Sequence, residues 1–307
     1  MDEARRHETH GDWLAAYGYA RVARYPSLTS APKREAYARS RDLYLRATAG
    51  AHPPIERVAI PFAGRIGEGS AVPAYLRRPA GSDRPPIVLT WGGIDAFKEE
   101  RRADAYLAEG WATLAMDMPG TGEAPLAGST DAERLWDPVF AWVAARADLD
   151  ARRVAIVGGS TGGYWAAKLA HTHRERIAGA VDHGGPIHHA FTAPWIARAE
   201  AGEYPFEYCE SLAQAFGMSG ADEWRRRAPQ LSLLTLGVLD RPCAPLLLLH
   251  GESDTVFPIA DLHLVLARGG HRWWRVFPGG HMGRGDTTGA ITAWLRERFA
   301  AAQLSPS

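Results

Sequence analysis

From about residue 55 onward the apolar residues of this chain come in short bunched runs rather than long stripes. Pro86-Ile87-Val88-Leu89-Thr90, Trp111–Met116, the stretch 153–157, Ile177–Val181 and Pro245-Leu246-Leu247-Leu248-Leu249-His250 are such runs. They lack strict polar alternation, which marks strands covered on both faces. Helical stretches over about 96–109, 131–146 and 161–172 separate them, and a final helix at 287–300 follows a strand at Arg272–Phe277. Strands spaced by helices of this length need crossover connections, hence a mostly parallel sheet with helices on both faces. Ile55–Phe62 and Ala71–Arg77 read instead as a hairpin, with Gly64, Gly67 and Gly69 in its connection.

Two regions depart from this rhythm. Residues 12–48 read as two helices. Asp12 caps the first, whose apolar face takes Trp13, Leu14, Tyr17 and the stem of Arg21. Ser30, with Pro32 in the first turn, starts the second, which carries Tyr37, Leu43, Tyr44 and Ala47. Residues 186–240 hold prolines, aromatics and short helical pieces but no convincing strand. They read as a helical cap inserted at the C-terminal edge of the sheet, where ligands bind in such folds. The organisation expected is an N-terminal helical segment at 1–54, a core at 55–185 and 241–307, and a cap at 186–240.

Composition acts mainly by exclusion. Thirty-five basic residues balance 35 acidic ones for a formal charge of +0, which gives no electrostatic case for nucleic acid or an anionic membrane. Cys209 and Cys243 are too few for a disulfide framework. The charged N-terminus leads into no apolar segment and no stretch approaches a membrane span, so a cytoplasmic protein with a small-molecule substrate is expected.

The chemistry centres on Val154-Ala155-Ile156-Val157-Gly158-Gly159-Ser160-Thr161-Gly162-Gly163 and the Ala-rich stretch after it. Gly-x-Ser-x-Gly between a strand and a helix is the setting of a nucleophile elbow. Small residues at Gly158 and Gly162 let the backbones pass, and the Thr161 N–H faces a forming oxyanion at a helix N-terminus. The phosphate-loop pattern is absent and the dinucleotide fingerprint incomplete, so no cofactor is expected. A serine hydroxyl needs a base and an orienting acid. In the order Ser…Asp/Glu…His, Asp254 follows one late strand and His281 the last, with Glu252 as the rival acid. The second oxyanion donor is expected from Gly93 or Ile94, after the Pro86–Thr90 strand. Asp95 could bind a substrate hydroxyl or Lys98, or cap the helix after it. Trp91 and Trp195 could form an aromatic pocket wall, or simply pack. In Asp182-His183-Gly184-Gly185-Pro186-Ile187-His188-His189, neighbouring imidazoles on extended chain point apart and no ligand partner stands at metal spacing. No metal is expected. His183 would line the pocket beside Ser160, or serve the strand end structurally.

Ser160, Asp254 and His281 in these surroundings resemble the α/β-hydrolase fold over about residues 55–300. More narrowly, Gly92-Gly93-Ile94-Asp95-Ala96-Phe97-Lys98-Glu99-Glu100 and Asp117-Met118-Pro119-Gly120-Thr121-Gly122-Glu123 resemble its fermentation-respiration-switch branch. Relatives there include 2,6-dihydroxypseudooxynicotine hydrolase and fungal polyketide-shortening hydrolases. The resemblance implies helices ahead of the core, a helical cap, homodimers, and carbon–carbon hydrolysis beside a carbonyl. The expected function is a serine hydrolase acting on a 1,3-dicarbonyl or polyketide-like substrate by retro-Claisen cleavage. Carboxylic ester hydrolysis, and a lyase or cyclase using the same triad, are the alternatives.

Overall fold

The apolar runs assemble into one eight-stranded sheet in the computed structural model, which describes residues 1–204, 206–268 and 270–304. Its strands are β1 Glu56–Pro61, β2 Ala71–Arg77, β3 Ile87–Trp91, β4 Ala112–Met116, β5 Val154–Gly159, β6 Gly179–His183, β7 Leu246–Gly251 and β8 Arg272–Phe277. They lie in the order β1-β2-β4-β3-β5-β6-β7-β8. The β1–β2 and β2–β4 pairs are antiparallel and all others parallel. Every residue of β3, β4, β5 and β7 is buried, as runs without alternation require. The edge strand β8 is partly open, and its Trp274 is exposed.

Alternate residues of β5 feed two cores. Val154 and Ile156 join the side of α5 (Trp136–Ala145) and α6 (Thr161–Thr172). Ala155 and Val157 join the side of α4 (Asp104–Ala108) and α11 (Thr287–Leu304), with Tyr106, Trp294 and Phe299. Between β6 and β7 the chain forms α7 (Ala193–Glu200), α8 (Tyr208–Ala215), α9 (Ala221–Arg227) and 3-10 turns, with no strand among the described residues; α10 (Ile259–Leu266) follows β7. At the other end, α2 (Trp13–Ala23) is capped by Asp12 and α3 (Ala31–Ala47) by Ser30, as their sequence signals require. A further helix, α1 (Asp2–Thr9), precedes them in the charged stretch. No helix among the described residues is long and apolar enough to cross a membrane.

The single helix expected over 96–109 does not form. A 3-10 turn, Lys98–Glu100, comes first, Arg101 is extended at φ −79 and ψ 116, and only then does α4 begin. The cause is electrostatic. The buried Lys98 ammonium sits 3.0 Å from Glu99, 2.9 Å from Asp117 and 2.9 Å from Glu123, and its backbone N–H also donates to Asp117. Those contacts pin the chain above the sheet end before a helix can propagate. Strand β6 also starts and ends two residues later than its apolar run, which brings Asp182 and His183 into the sheet.

Candidate active site

The turn from β5 into α6 is strained at one residue. Ser160 has φ 55 and ψ −134, a region L-residues avoid. The neighbouring glycines have no room for anything larger. A Cβ on Gly158 would stand 2.2 Å from the Gly162 carbonyl oxygen, and one on Gly162 would stand 2.3 Å from that of Gly92. Trp91 braces the turn, donating from Nε1 to the Gly162 carbonyl at 2.8 Å. It is fully buried and packs on Trp136 with ring centroids 4.8 Å apart. The suggestion that Trp91 walls the pocket is therefore corrected: the indole is committed to holding the turn in shape.

Ser160, His281 and Asp254 form one hydrogen-bonded chain. Ser160 Oγ lies 2.8 Å from His281 Nε2, and His281 Nδ1 lies 2.8 Å from Asp254 Oδ2. Asp254 Oδ1 accepts from the N–H groups of Val256 at 2.8 Å and Phe257 at 2.9 Å. Burial pushes the Asp254 carboxyl upward, but His281 and the Phe257 N–H outweigh it and hold the group below its ordinary value. An ionised acceptor at Nδ1 fixes the imidazole tautomer that leaves Nε2 free to take a proton. Glu252 is exposed and stands outside this chain.

Across from the serine lies Gly93. A Cβ there would stand 2.9 Å from both Cβ and Oγ of Ser160, and 3.3 Å from the Thr161 nitrogen. The Gly93 backbone and the Thr161 N–H therefore flank the same small space. Thr161 opens α6, where the first N–H groups have no intrahelical acceptor and the dipole is positive. The Ile94 side chain turns into the core.

The remaining expected residues have other partners. Asp95 Oδ2 accepts long hydrogen bonds, 3.4 Å each, from the hydroxyls of Tyr25 and Tyr204. It thus joins the N-terminal segment to the β6–β7 insertion above the Gly93 loop. His183 donates from Nε2 to the Met282 carbonyl at 2.8 Å, and burial pushes its pKa down to about 4. Nε2 of this neutral ring thus ties the strand end to the residue after His281, the structural part expected as the alternative for it. Trp195 donates to the Val256 carbonyl at 3.0 Å and lines a groove with His189, Thr192 and Pro258, so it braces the acid loop from outside. The N–H groups of Ile187, His188, His189 and Ala190 all donate to Asp261 on α10, and His188 Nδ1 pairs with Ser232.

Sequence reasoning missed Glu203. From the insertion, its Oε1 accepts from the backbone N–H of His281 at 2.9 Å, and from the N–H and hydroxyl of Thr255, each at 3.0 Å. It clamps the histidine loop to the acid loop. No motif could have marked it, since its partners lie 78 and 52 residues away in the chain. His250, buried, was also unmarked; its Nε2 donates to the Phe257 carbonyl at 3.0 Å and stands 3.6 Å from Asp254. A cleft of about 720 Å³ lies apart from all of this, between residues 65–68, 120–131 and 214–231, and none of Ser160, Asp254 and His281 lines it.

A mostly parallel sheet of this order, with the sharp serine turn after β5, gives the molecule the α/β-hydrolase fold. AbyA5 superposes with a TM-score of 0.80 at 22% identity, covering 98% of this chain and 82% of that one. The 2,6-dihydroxy-pseudo-oxynicotine hydrolase gives 0.75 at 24% identity, covering 100% and 87%. Within that fold the chain belongs to the FrsA-like family, described as esterase FrsA-like, which matches residues 1–273. Esterase FrsA of Escherichia fergusonii is 27% identical over 297 residues, covering 94% of this chain and 70% of that relative.

Proposed function

We propose that the protein is a serine hydrolase of acyl compounds that cleaves a carbon–carbon bond next to a carbonyl. The observation carrying the hydrolase reading is the Ser160–His281–Asp254 chain, with 2.8 Å at each link. Ser160 Oγ attacks the acyl carbon as His281 Nε2 takes its proton, and Asp254 stabilises the imidazolium. Thr161 and the Gly93 loop hold the oxyanion. When the intermediate collapses, the acyl–carbon bond breaks and its electron pair passes to the neighbouring carbonyl as an enolate. His281 returns its proton to the α-carbon, and water then hydrolyses the acyl-enzyme. The carbon–carbon assignment is favoured by the resemblance of residues 92–100 and 117–123 to hydrolases of that kind. Carboxylic ester hydrolysis is the second reading, favoured by the name of the curated relative.

The test pairs a fluorophosphonate probe with two substrates, 4-nitrophenyl acetate and heptane-2,4-dione. The probe should label the protein at Ser160 and not label Ser160→Ala, whose turnover should fall by about 10³-fold or more. The diketone should yield an acid and a ketone in equal amounts. Labelling that survives in Ser160→Ala removes the nucleophile. Ester turnover with an untouched diketone replaces the carbon–carbon reading by the esterase one.

A further inference from the structure

Charged side chains taken from water are ordinarily paired. Lys98 has three carboxylates, Arg24 has Glu100, and Lys168 has Glu133. Half-buried Arg101 is the exception. Its Nε is buried without an acceptor, and its guanidinium makes no ion pair or side-chain hydrogen bond among the described residues. Arg41, Arg134, Arg272 and Arg298 also bury an unbonded Nε, but each places a terminal nitrogen on a carboxylate or carbonyl. The acids whose charges act on Arg101 are already occupied: Glu100 by Arg21 and Arg24, Asp95 by two tyrosines, and Asp117 by Lys98. Burial holds its pKa below the ordinary guanidinium value, with the field of Glu100 acting the other way.

Its position gives the unpaired cation a use. Arg101 Nη1 lies 3.9 Å from the point where a side chain on Gly159 would begin, and Met282 Cε lies 3.2 Å from that same point. Gly159 immediately precedes Ser160, and Met282 immediately follows His281. The guanidinium therefore stands beside both the Ser160 turn and the histidine loop, and the Met282 methyl packs against the same face of Gly159.

We propose that Arg101 binds a second oxyanion of the substrate, next to the acyl carbonyl that Ser160 attacks. This rests on the hydrolase reading above and names the substrate class, an acyl compound with a second charged oxygen close to the reacting carbonyl. That oxygen is either a carboxylate already present or the enolate oxygen formed as the carbon–carbon bond breaks. A guanidinium suits both, since it stays protonated and presents two parallel donors. His183 and Asp95 already hold partners, so Arg101 supplies the donor for the departing carbonyl. It gives hydrogen bonds and no proton; the proton for the α-carbon comes from His281.

The experiment compares wild type, Arg101→Gln and Arg101→Lys as full chains on three substrates: mono-4-nitrophenyl glutarate, 4-nitrophenyl valerate and heptane-2,4-dione. Calorimetric titration with glutarate supplies a readout without turnover. A carboxylate site predicts that Arg101→Gln raises KM for the glutarate ester about tenfold or more and abolishes glutarate binding, with the valerate ester unchanged. An enolate site predicts a kcat loss of about tenfold or more on the diketone alone. Arg101→Lys should keep part of either effect. Equal loss on all substrates, or no loss on any together with unchanged glutarate binding, overturns the proposal. A wild type that cleaves no diketone ends the carbon–carbon reading, and the glutarate arms then decide Arg101 alone.

Discussion

Gly93→Ala places one methyl group against Ser160 and changes nothing else. The new Cβ would stand 2.9 Å from Cβ and Oγ of Ser160 and 3.3 Å from the Thr161 nitrogen. Carbon atoms rest at about 3.5–4.0 Å, so something must move by about half an ångström or more. If the serine yields, Oγ leaves its 2.8 Å contact with His281. A displacement of about 1 Å costs about 10²-fold in rate, so a shift of this size costs about tenfold. If the Gly93 loop yields instead, its donor retreats from the oxyanion, a loss of about 10²–10³ in kcat. The expected fall is thus about 10- to 10³-fold in kcat, with KM for a small neutral ester nearly constant. Steady-state kinetics on 4-nitrophenyl acetate measures this, with thermal melts to confirm folding. Gly50→Ala is the control, since nothing lies within 4 Å of its added Cβ. A Gly93→Ala enzyme with kcat within about twofold of wild type would refute the geometry on which the oxyanion assignment rests.

Two further outcomes follow from contacts around the triad. Glu203→Ala removes the clamp between the histidine and acid loops, and should lower kcat about tenfold with little change in KM. Glu203→Gln keeps an acceptor oxygen and should recover most of that loss; a KM effect of equal size in both variants would assign Glu203 to substrate binding instead. Asp182 bears on pH. Burial pushes its carboxyl up to about 7, against the opposing Gly185 N–H, so it stays protonated in the fold while the unfolded chain ionises near pH 4. Its contribution is therefore fully present below about pH 4 and is lost as pH rises toward 7, at about 1.4 kcal/mol per unit. Asp182→Asn should flatten the melting temperature across that window, and an unchanged slope would contradict the buried neutral acid.

What the sequence disclosed and what it withheld divide along physical lines. Ser160 was legible because a strand, a Gly-x-Ser-x-Gly turn and a helix are all local, and the resulting strain falls on that residue. Asp254 and His281 were legible because the ends of parallel strands converge on one edge of the sheet. Asp12 and Ser30 announced their helices because capping is a contact across three residues. Tertiary partners were not legible. The imidazole of His183 reads as a free polar group until the Met282 carbonyl, 99 residues later, is seen to accept its hydrogen bond. The 96–109 helix has suitable composition, yet Lys98 is drawn into a charge cluster with Asp117 and Glu123 that outweighs local propensity. Arg101 is one arginine among many until its lack of a counter-charge becomes visible.

The Lys98 cluster also bears on the order in which this chain can acquire its structure. Lys98 donates to the Tyr37 hydroxyl across 61 residues, and Arg24 and Arg41 reach Glu100 and Glu123 across 76 and 82. Residues 1–47 are synthesised before any of those acids. On their own they bury little beyond Ala4, Ala16, Ala20 and Leu43, too small a core to hold three helices together. This segment therefore completes its packing only after the loop at 92–100 has been made. A chain interrupted near residue 95 would leave it without a surface to dock on, open to proteases and to other nascent chains.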